Sequence, residues 1–356
     1  MPASKKTTRK AAPKKAAPGA GKKTAKKRVS APEGEAIAIT GASGFLGAQV
    51  LSYLRSESRF ERVVVLDIAK PTLPIRKTKF YKTDLTEPNC DARIAEIFEK
   101  ENVTQVVHLA FFRNPHRNQA YAHELEVIGT LHLLHACAQA KVKKFLTATS
   151  TFVYGARPDN PNFLTEAHEL RAKRSFGHVS NKAEAEGLIA RFANQNPDIK
   201  VTVLRPGIIL GPRRRAYVTS FFSRATIPTV LGYDPLMQFV HEDDVIDALV
   251  QCVTGEQRGV FNIVGSGVLP LSTILRVGGK WSVAVPSFVL YPSAGTLWVS
   301  GASDVPPEFY DYLRYLCIAD GEKARLELGF EPRHSTKDTW LAFTGEERVR
   351  QFRAAS

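Results

Sequence analysis

A chain of 356 residues, 44% hydrophobic, is long enough to bury a large core, which excludes a small scaffold stapled by metal or disulfides. Its formal charge of +14 would suit a nucleic-acid binder, but residues 1–30 hold 11 Lys or Arg and no acid, leaving the remainder close to neutral. No apolar stretch has the length of a membrane span and the N-terminus lacks the apolar core of a secretory signal, so the expectation is a cytoplasmic protein.

The N-terminal stretch, rich in Lys, Ala and Pro, resembles the tails of linker histones. It has almost no large apolar side chain with which to offset ordering entropy, so residues 1–34 read as a disordered tail. Such a tail is a solubilising extension or a sequence-independent contact to nucleic acid or an anionic surface. The next stretch organises the chain. The apolar run Ala36 to Ile39 reads as a buried parallel strand, and Thr40-Gly41-Ala42-Ser43-Gly44-Phe45-Leu46-Gly47 leads from it into a helix. Gly41 permits a tight turn, Gly44 admits a pyrophosphate close to the backbone, and Gly47 lets the helix approach the strand. The helix N-terminus then aims free N–H groups at the anion. A second strand, Val63 to Leu66, ends in Asp67, 20 residues after Gly47, where a carboxylate accepts hydrogen bonds from ribose hydroxyls. That charge favours NAD over NADP, although Lys70 and Arg76 lie nearby.

Further along, a helix is expected over 91–101, a strand over 103–110, and a long helix over 119–141 with Leu125, Ile128, Leu131, Leu134 and Cys137 on related faces. A strand over 145–150, a helix over 181–196 and a strand over 201–204 complete the alternation. The rhythm predicts an α/β fold, a doubly wound parallel sheet of Rossmann type with ligands at the carboxyl ends of its strands. Beyond Pro206 the rhythm breaks into a smaller substrate lobe, giving a nucleotide-binding core over 35–205, a lobe over 206–345 and a short end over 346–356.

Taken together, Gly41-x-x-Gly44-x-x-Gly47, Asp67, Asp84-Leu85, His108-Leu109-Ala110, Gly129-Thr130, Ser150-Thr151-Phe152-Val153-Tyr154-Gly155, Leu204-Arg205-Pro206-Gly207 and Phe239 to Val245 resemble the extended short-chain dehydrogenase/reductase superfamily in its NAD-dependent epimerase/dehydratase branch. The resemblance covers about residues 35–345. It implies cofactor contacts from Gly41, Ser43, Gly44, Phe45, Leu46 and Gly47, from Asp67, from Asp84 and Leu85 at the adenine, and from Leu109 and Ala110 beside the nicotinamide. It also implies a homodimer through two long helices, and Ser150 at the reacting oxygen of a small-molecule substrate.

Two positions depart from the family's pattern. Oxidising a secondary alcohol requires a base for its proton, and the family uses Tyr four residues before Lys. Here the Lys is Lys182, which also binds the nicotinamide ribose in the family, but the residue four earlier is His178. Where the family usually has Asn, this chain has Glu126. Either His178 replaces Tyr as acid/base, with Glu126 offsetting charge near Lys182, or the protein binds dinucleotide without turnover as a sensor or scaffold. The substrate expected is a nucleotide-sugar-like alcohol, with a hydroxysteroid as the alternative. Arg213-Arg214-Arg215 reads as an exposed basic loop in preference to a diphosphate site, and Trp281 to Trp298 as core packing. No metal is expected, because His108, His116, His123, His132 and His135 have no matching carboxylate spacing.

Overall fold

The computed structural model describes residues 34–71 and 77–355; the basic tail and Arg76 lie outside them. The first half of the chain supplies β1 (Ala36–Thr40), α1 (Phe45–Leu54), β2 (Arg62–Asp67), β3 (Thr78–Lys82), α2 (Cys90–Glu101) and β4 (Val103–His108). Next come α3 (Gln119–His123), a π-helical turn (Glu124–Ile128), α4 (Gly129–Gln139), β5 (Lys144–Ala148), α5 (Gly177–Gln195), β6 (Lys200–Pro206) and β7 (Ile208–Leu210). The remainder holds α6 (Tyr217–Ser223), β8 (Thr226–Val230), β9 (Leu236–Met237), β10 (Phe239–His241), α7 (Glu242–Thr254) and β11 (Gly259–Ile263). It ends with β12 (Leu269–Pro270), α8 (Leu271–Val277), β13 (Trp281–Val285), α9 (Ser287–Val299) and α10 (Thr336–Ala355).

Seven strands form one parallel sheet in the order β11-β6-β5-β4-β1-β2-β3. Every residue of β1 and β5 is buried, as a strand covered on both faces requires. On one face Val50, Leu51 and Leu54 of α1 meet Val245, Leu249 and Cys252 of α7. On the other, Ile94 and Phe98 of α2 join Leu133 and Cys137 of α4 and Ile189 and Phe192 of α5. Each such fully buried Val, Leu, Ile or Phe side chain contributes about 1.5–3 kcal/mol. Since β1 is flanked by β2 on one side and β4 on the other, the chain's direction of winding reverses there and a crevice opens outside their carboxyl ends.

The long helix differs from its expected form. It is interrupted by the π turn, and the wider turn rotates the buried face: Glu126, Thr130, Leu133 and Cys137 point inward while Leu125, Ile128 and Leu131 are half-buried. A strict 3.6-residue period does not anticipate that rotation. The second lobe has its own aromatic core, built on Phe221, Phe222, Phe309, Trp340 and Phe343. Of Trp281 to Trp298 only Leu290 and Ala294 belong to it, with Val285 and Tyr291 packed against it. Trp281 and Phe288 are 78% and 79% exposed, and of α9 only Leu290 and Ala294 are buried. The helix has no charged residue, which sequence alone reads as burial, but only one narrow strip of it meets the lobe.

Candidate functional site

The crevice continues as two adjoining cavities that share Phe112. The first is lined by Gly41, Ser43, Gly44, Asp67, Asp84, Leu85, Leu109 and Ala110 with Ile68, Thr83 and Tyr121. Gly41 has φ +67°, and a Cβ there would lie 2.5 Å from the Leu109 carbonyl oxygen, so only glycine lets the turn pass over β4. A Cβ on Gly47 would overlap the Gly41 carbonyl, which fixes glycine under the turn as well. Gly44 is different: its surroundings are open apart from the Gly41 oxygen at 3.2 Å, leaving a bare backbone surface above the helix N-terminus. The Asp67 carboxylate accepts from the Ser43 N–H at 3.0 Å and the Ser43 hydroxyl at 2.9 Å, binding the end of β2 to the glycine turn. Asp84 accepts the Thr86 N–H and hydroxyl.

Phe45, Leu46 and Gly47 do not line this cavity. Leu46 packs on the core under the sheet, Gly47 is buried in the turn, and the Phe45 ring faces the Arg214 guanidinium 5.9 Å away. Beneath the cavity floor His108 is fully buried between Thr40 Oγ1 at 2.7 Å and Thr130 Oγ1 at 2.9 Å. Burial lowers its imidazole pKa to about 3, so it is a neutral strut.

The second cavity is lined by Ser150, His178 and Lys182 together with Phe112, Arg113, Gly207, Arg214 and Tyr217. Ser150 follows β5, and its hydroxyl accepts the Phe152 N–H at 3.2 Å, capping a short 3₁₀ turn. His178 and Lys182 share one face of α5's first turns, with Lys182 Nζ 3.5 Å from His178 Nδ1 and donating to the His178 carbonyl at 3.0 Å. Lys182 also donates to Glu126 at 3.0 Å, and that carboxylate accepts from Asn181 Nδ2 at 3.0 Å and the Phe112 N–H at 2.9 Å. The π turn is what brings Glu126 to this point, fully buried.

Burial, then the charges of Lys182 and Arg214, hold the His178 imidazole well below its usual pKa. It is therefore neutral at physiological pH and able to accept a proton. The Tyr217 ring stands edge-on to it at 5.5 Å.

The three consecutive arginines separate. Arg213 pairs with Glu242 at 2.9 Å and with Asp243, and Arg215 pairs with Glu347 at 2.7 Å. Arg214 turns into the cavity, so the stretch is not the free basic loop expected. Arg113 and Tyr217 were not legible as site residues, and Arg214 was legible only as part of the three-arginine run. Arg113 follows the carboxyl end of β4 closely, and that position was the available signal. The histidines of the long helix are dispersed: His123 lies on Glu184, His132 on Cys90, and His135 beside Asp91. His241 caps α7 by accepting the Asp243 N–H at 3.2 Å. Among the described residues no helix is long and apolar enough to cross a membrane, and Cys90, Cys137, Cys252 and Cys317 are free thiols.

The model of the NAD dependent epimerase/dehydratase family matches residues 37–264, more than half of the chain and every element around the two cavities. The chain belongs to that family. One relative is an uncharacterized protein of Mycobacterium tuberculosis, 28% identical over 311 residues, covering 85% of this chain and 82% of its own. Among solved structures, the UDP-glucose 4-epimerase of Thermotoga maritima superposes with a TM-score of 0.66 at 22% identity over 89% of this chain and 99% of that one. The Bordetella bronchiseptica enzyme WbmG, crystallised with NAD, gives 0.63 at 19% identity over 88% and 94%. At these identities the structural likeness establishes the fold, and the family's cofactor is NAD.

Proposed function

We propose that the protein is an NAD-dependent oxidoreductase or epimerase acting on a secondary alcohol of a nucleotide-sugar-like substrate, with His178 as the acid/base. The observation that carries this reading is the convergence of Ser150, neutral His178 and Lys182 on one cavity beside the glycine turn. The residues fit NAD: the bare Gly41–Gly44 backbone suits a diphosphate and Asp67 a ribose, with Asp84 and Leu85 at the adenine end and Leu109, Ala110 and Lys182 toward the nicotinamide. The carboxylate of Asp67 disfavours a 2′-phosphate. When bound, NAD accepts a hydride from the carbon bearing the alcohol.

The chain's own residues do the rest. Ser150 holds the alcohol oxygen by a hydrogen bond, and His178 removes its proton. In a Tyr–Lys pair the ammonium stabilises the phenolate, but beside an imidazole the same charge opposes protonation. Glu126 offsets this by ion-pairing with Lys182, so the two departures from the family pattern act as one change. The buried ion pair also fixes the Lys182 side chain against α5.

Incubating the full chain with NAD and UDP-glucose, dTDP-glucose or UDP-glucuronate, and following reduced coenzyme and product epimers, tests the reading. Turnover on at least one is expected, with a loss of about 10²–10⁴-fold in His178→Ala and partial recovery in His178→Tyr. Unchanged turnover in His178→Ala would remove the acid/base assignment, and tight NAD binding without turnover on any of the three would favour a sensor.

A further inference from the structure

Among the residues that line the reaction cavity are two arginines, Arg113 and Arg214, whose side chains form no hydrogen bond or ion pair among the described residues. Arg214 is half-buried and Arg113 exposed, and burial together with the neighbouring Arg113 charge lowers the Arg214 pKa to about 10. The nearest carboxylate, Glu242, is already engaged by the Arg213 N–H and Nε and by the Arg214 N–H. Desolvating a cation beside a like charge is costly unless an anion completes the site.

The two arginines are also held in place. Tyr217 N–H donates to Asn114 Oδ1 at 2.9 Å, tying the loop after β4 to the start of α6. The Arg214 N–H donates to Glu242 at 2.7 Å, and the Phe112 N–H to Glu126 at 2.9 Å. Both loops are thus anchored on the residue next to, or on, each arginine, while neither guanidinium has a hydrogen-bonded partner among the described residues and that of Arg214 only faces the Phe45 ring.

We infer that Arg214, assisted by Arg113, forms a subsite for an oxyanion of the substrate, a carboxylate or phosphate close to the reacting alcohol. The substrate is then an acidic sugar or hydroxy acid, and this deepens the proposed function and rests on it. A planar guanidinium binds such a group through two parallel N–H donors. The bound anion would also cancel the positive field that Arg214 exerts on His178, so that the imidazole takes the alcohol proton more readily when an acidic substrate is present.

The full chain saturated with NAD is titrated calorimetrically with UDP-glucose and with UDP-glucuronate, which differ by one carboxylate. UDP-glucuronate is expected to bind about tenfold tighter or more, and Arg214→Met to bring the two within about twofold while leaving NAD affinity unchanged. Equal wild-type affinities remove the carboxylate, and together with no stabilisation by inorganic phosphate they overturn the inference. So does an equal loss of NAD affinity in Arg214→Met, which would give the guanidinium to the coenzyme's diphosphate.

Malonate and inorganic phosphate, titrated into the same NAD complex with thermal stability as the readout, separate this inference from the nucleotide-sugar reading. If neither nucleotide sugar binds but one of these ions stabilises wild type and not Arg214→Met, the nucleotide-sugar reading falls and the subsite stands. The ion that does so identifies the group as carboxylate or phosphate. If no ion and no sugar acid distinguishes wild type from the variant, the subsite falls.

Discussion

The coenzyme cleft and the reaction cavity lie side by side at the same sheet edge, yet they are built by different means. The cleft is a backbone device: Gly41 is required by a positive φ and a near-contact with Leu109, Gly47 by the Gly41 carbonyl, and Asp67 is fastened to Ser43 in the glycine turn. The reaction cavity is a side-chain device, assembled from the ends of β4 and β5, the first turns of α5 and a loop 36 residues after His178. Local constraints of the first kind leave a fixed spacing in the sequence. Constraints of the second kind leave residue types scattered along the chain, joined only in the fold, as Glu126 and Lys182 are by their ion pair.

This contrast sets what each region should tolerate. Removing charge from one member of the buried Lys182–Glu126 pair strands the other, so Lys182→Met is expected to destabilise the fold by about 3–5 kcal/mol. Adding Glu126→Gln should restore most of that loss, as denaturant unfolding of the two variants and wild type would show. No recovery in the double variant would mean that the two side chains are not energetically coupled.

A smaller effect is expected under the cleft. His108 has a pKa of about 3 when folded against about 6.5 when unfolded, so below pH 6.5 the unfolded chain takes up a proton that the fold refuses. Its contribution is complete above that pH and declines as pH falls toward about 3, removing about 2 kcal/mol between pH 7 and pH 5. His178, depressed in the same direction, adds to the slope. Thermal unfolding across this range should show a shallower dependence in His108→Asn, and an unchanged slope would mean that the imidazole is hydrated.

The same contrast explains what was legible in advance. Strand β1, the glycine turn, Asp67 and the alternation through β6 follow from runs and spacings, and the parallel sheet follows from them. The Ser150, His178 and Lys182 positions were reached through a family pattern, and the geometry brings them to one cavity. The π turn that buries Glu126 was missed because it breaks the period by which helices are read, and Arg214 was misjudged because its two neighbours share its residue type but not its orientation. The apolar stretch on α9 misled for another reason, since an uncharged helix need not be an enclosed one.

The account rests on a nicotinamide dinucleotide filling the cleft between the glycine turn and Asp67. Calorimetric titration of NAD and NADP into wild type and Gly41→Val tests it most directly. NAD should bind wild type, NADP more weakly, and neither should bind Gly41→Val, whose side chain would occupy the space against Leu109. Absence of heat with both dinucleotides in the wild-type protein would contradict the account.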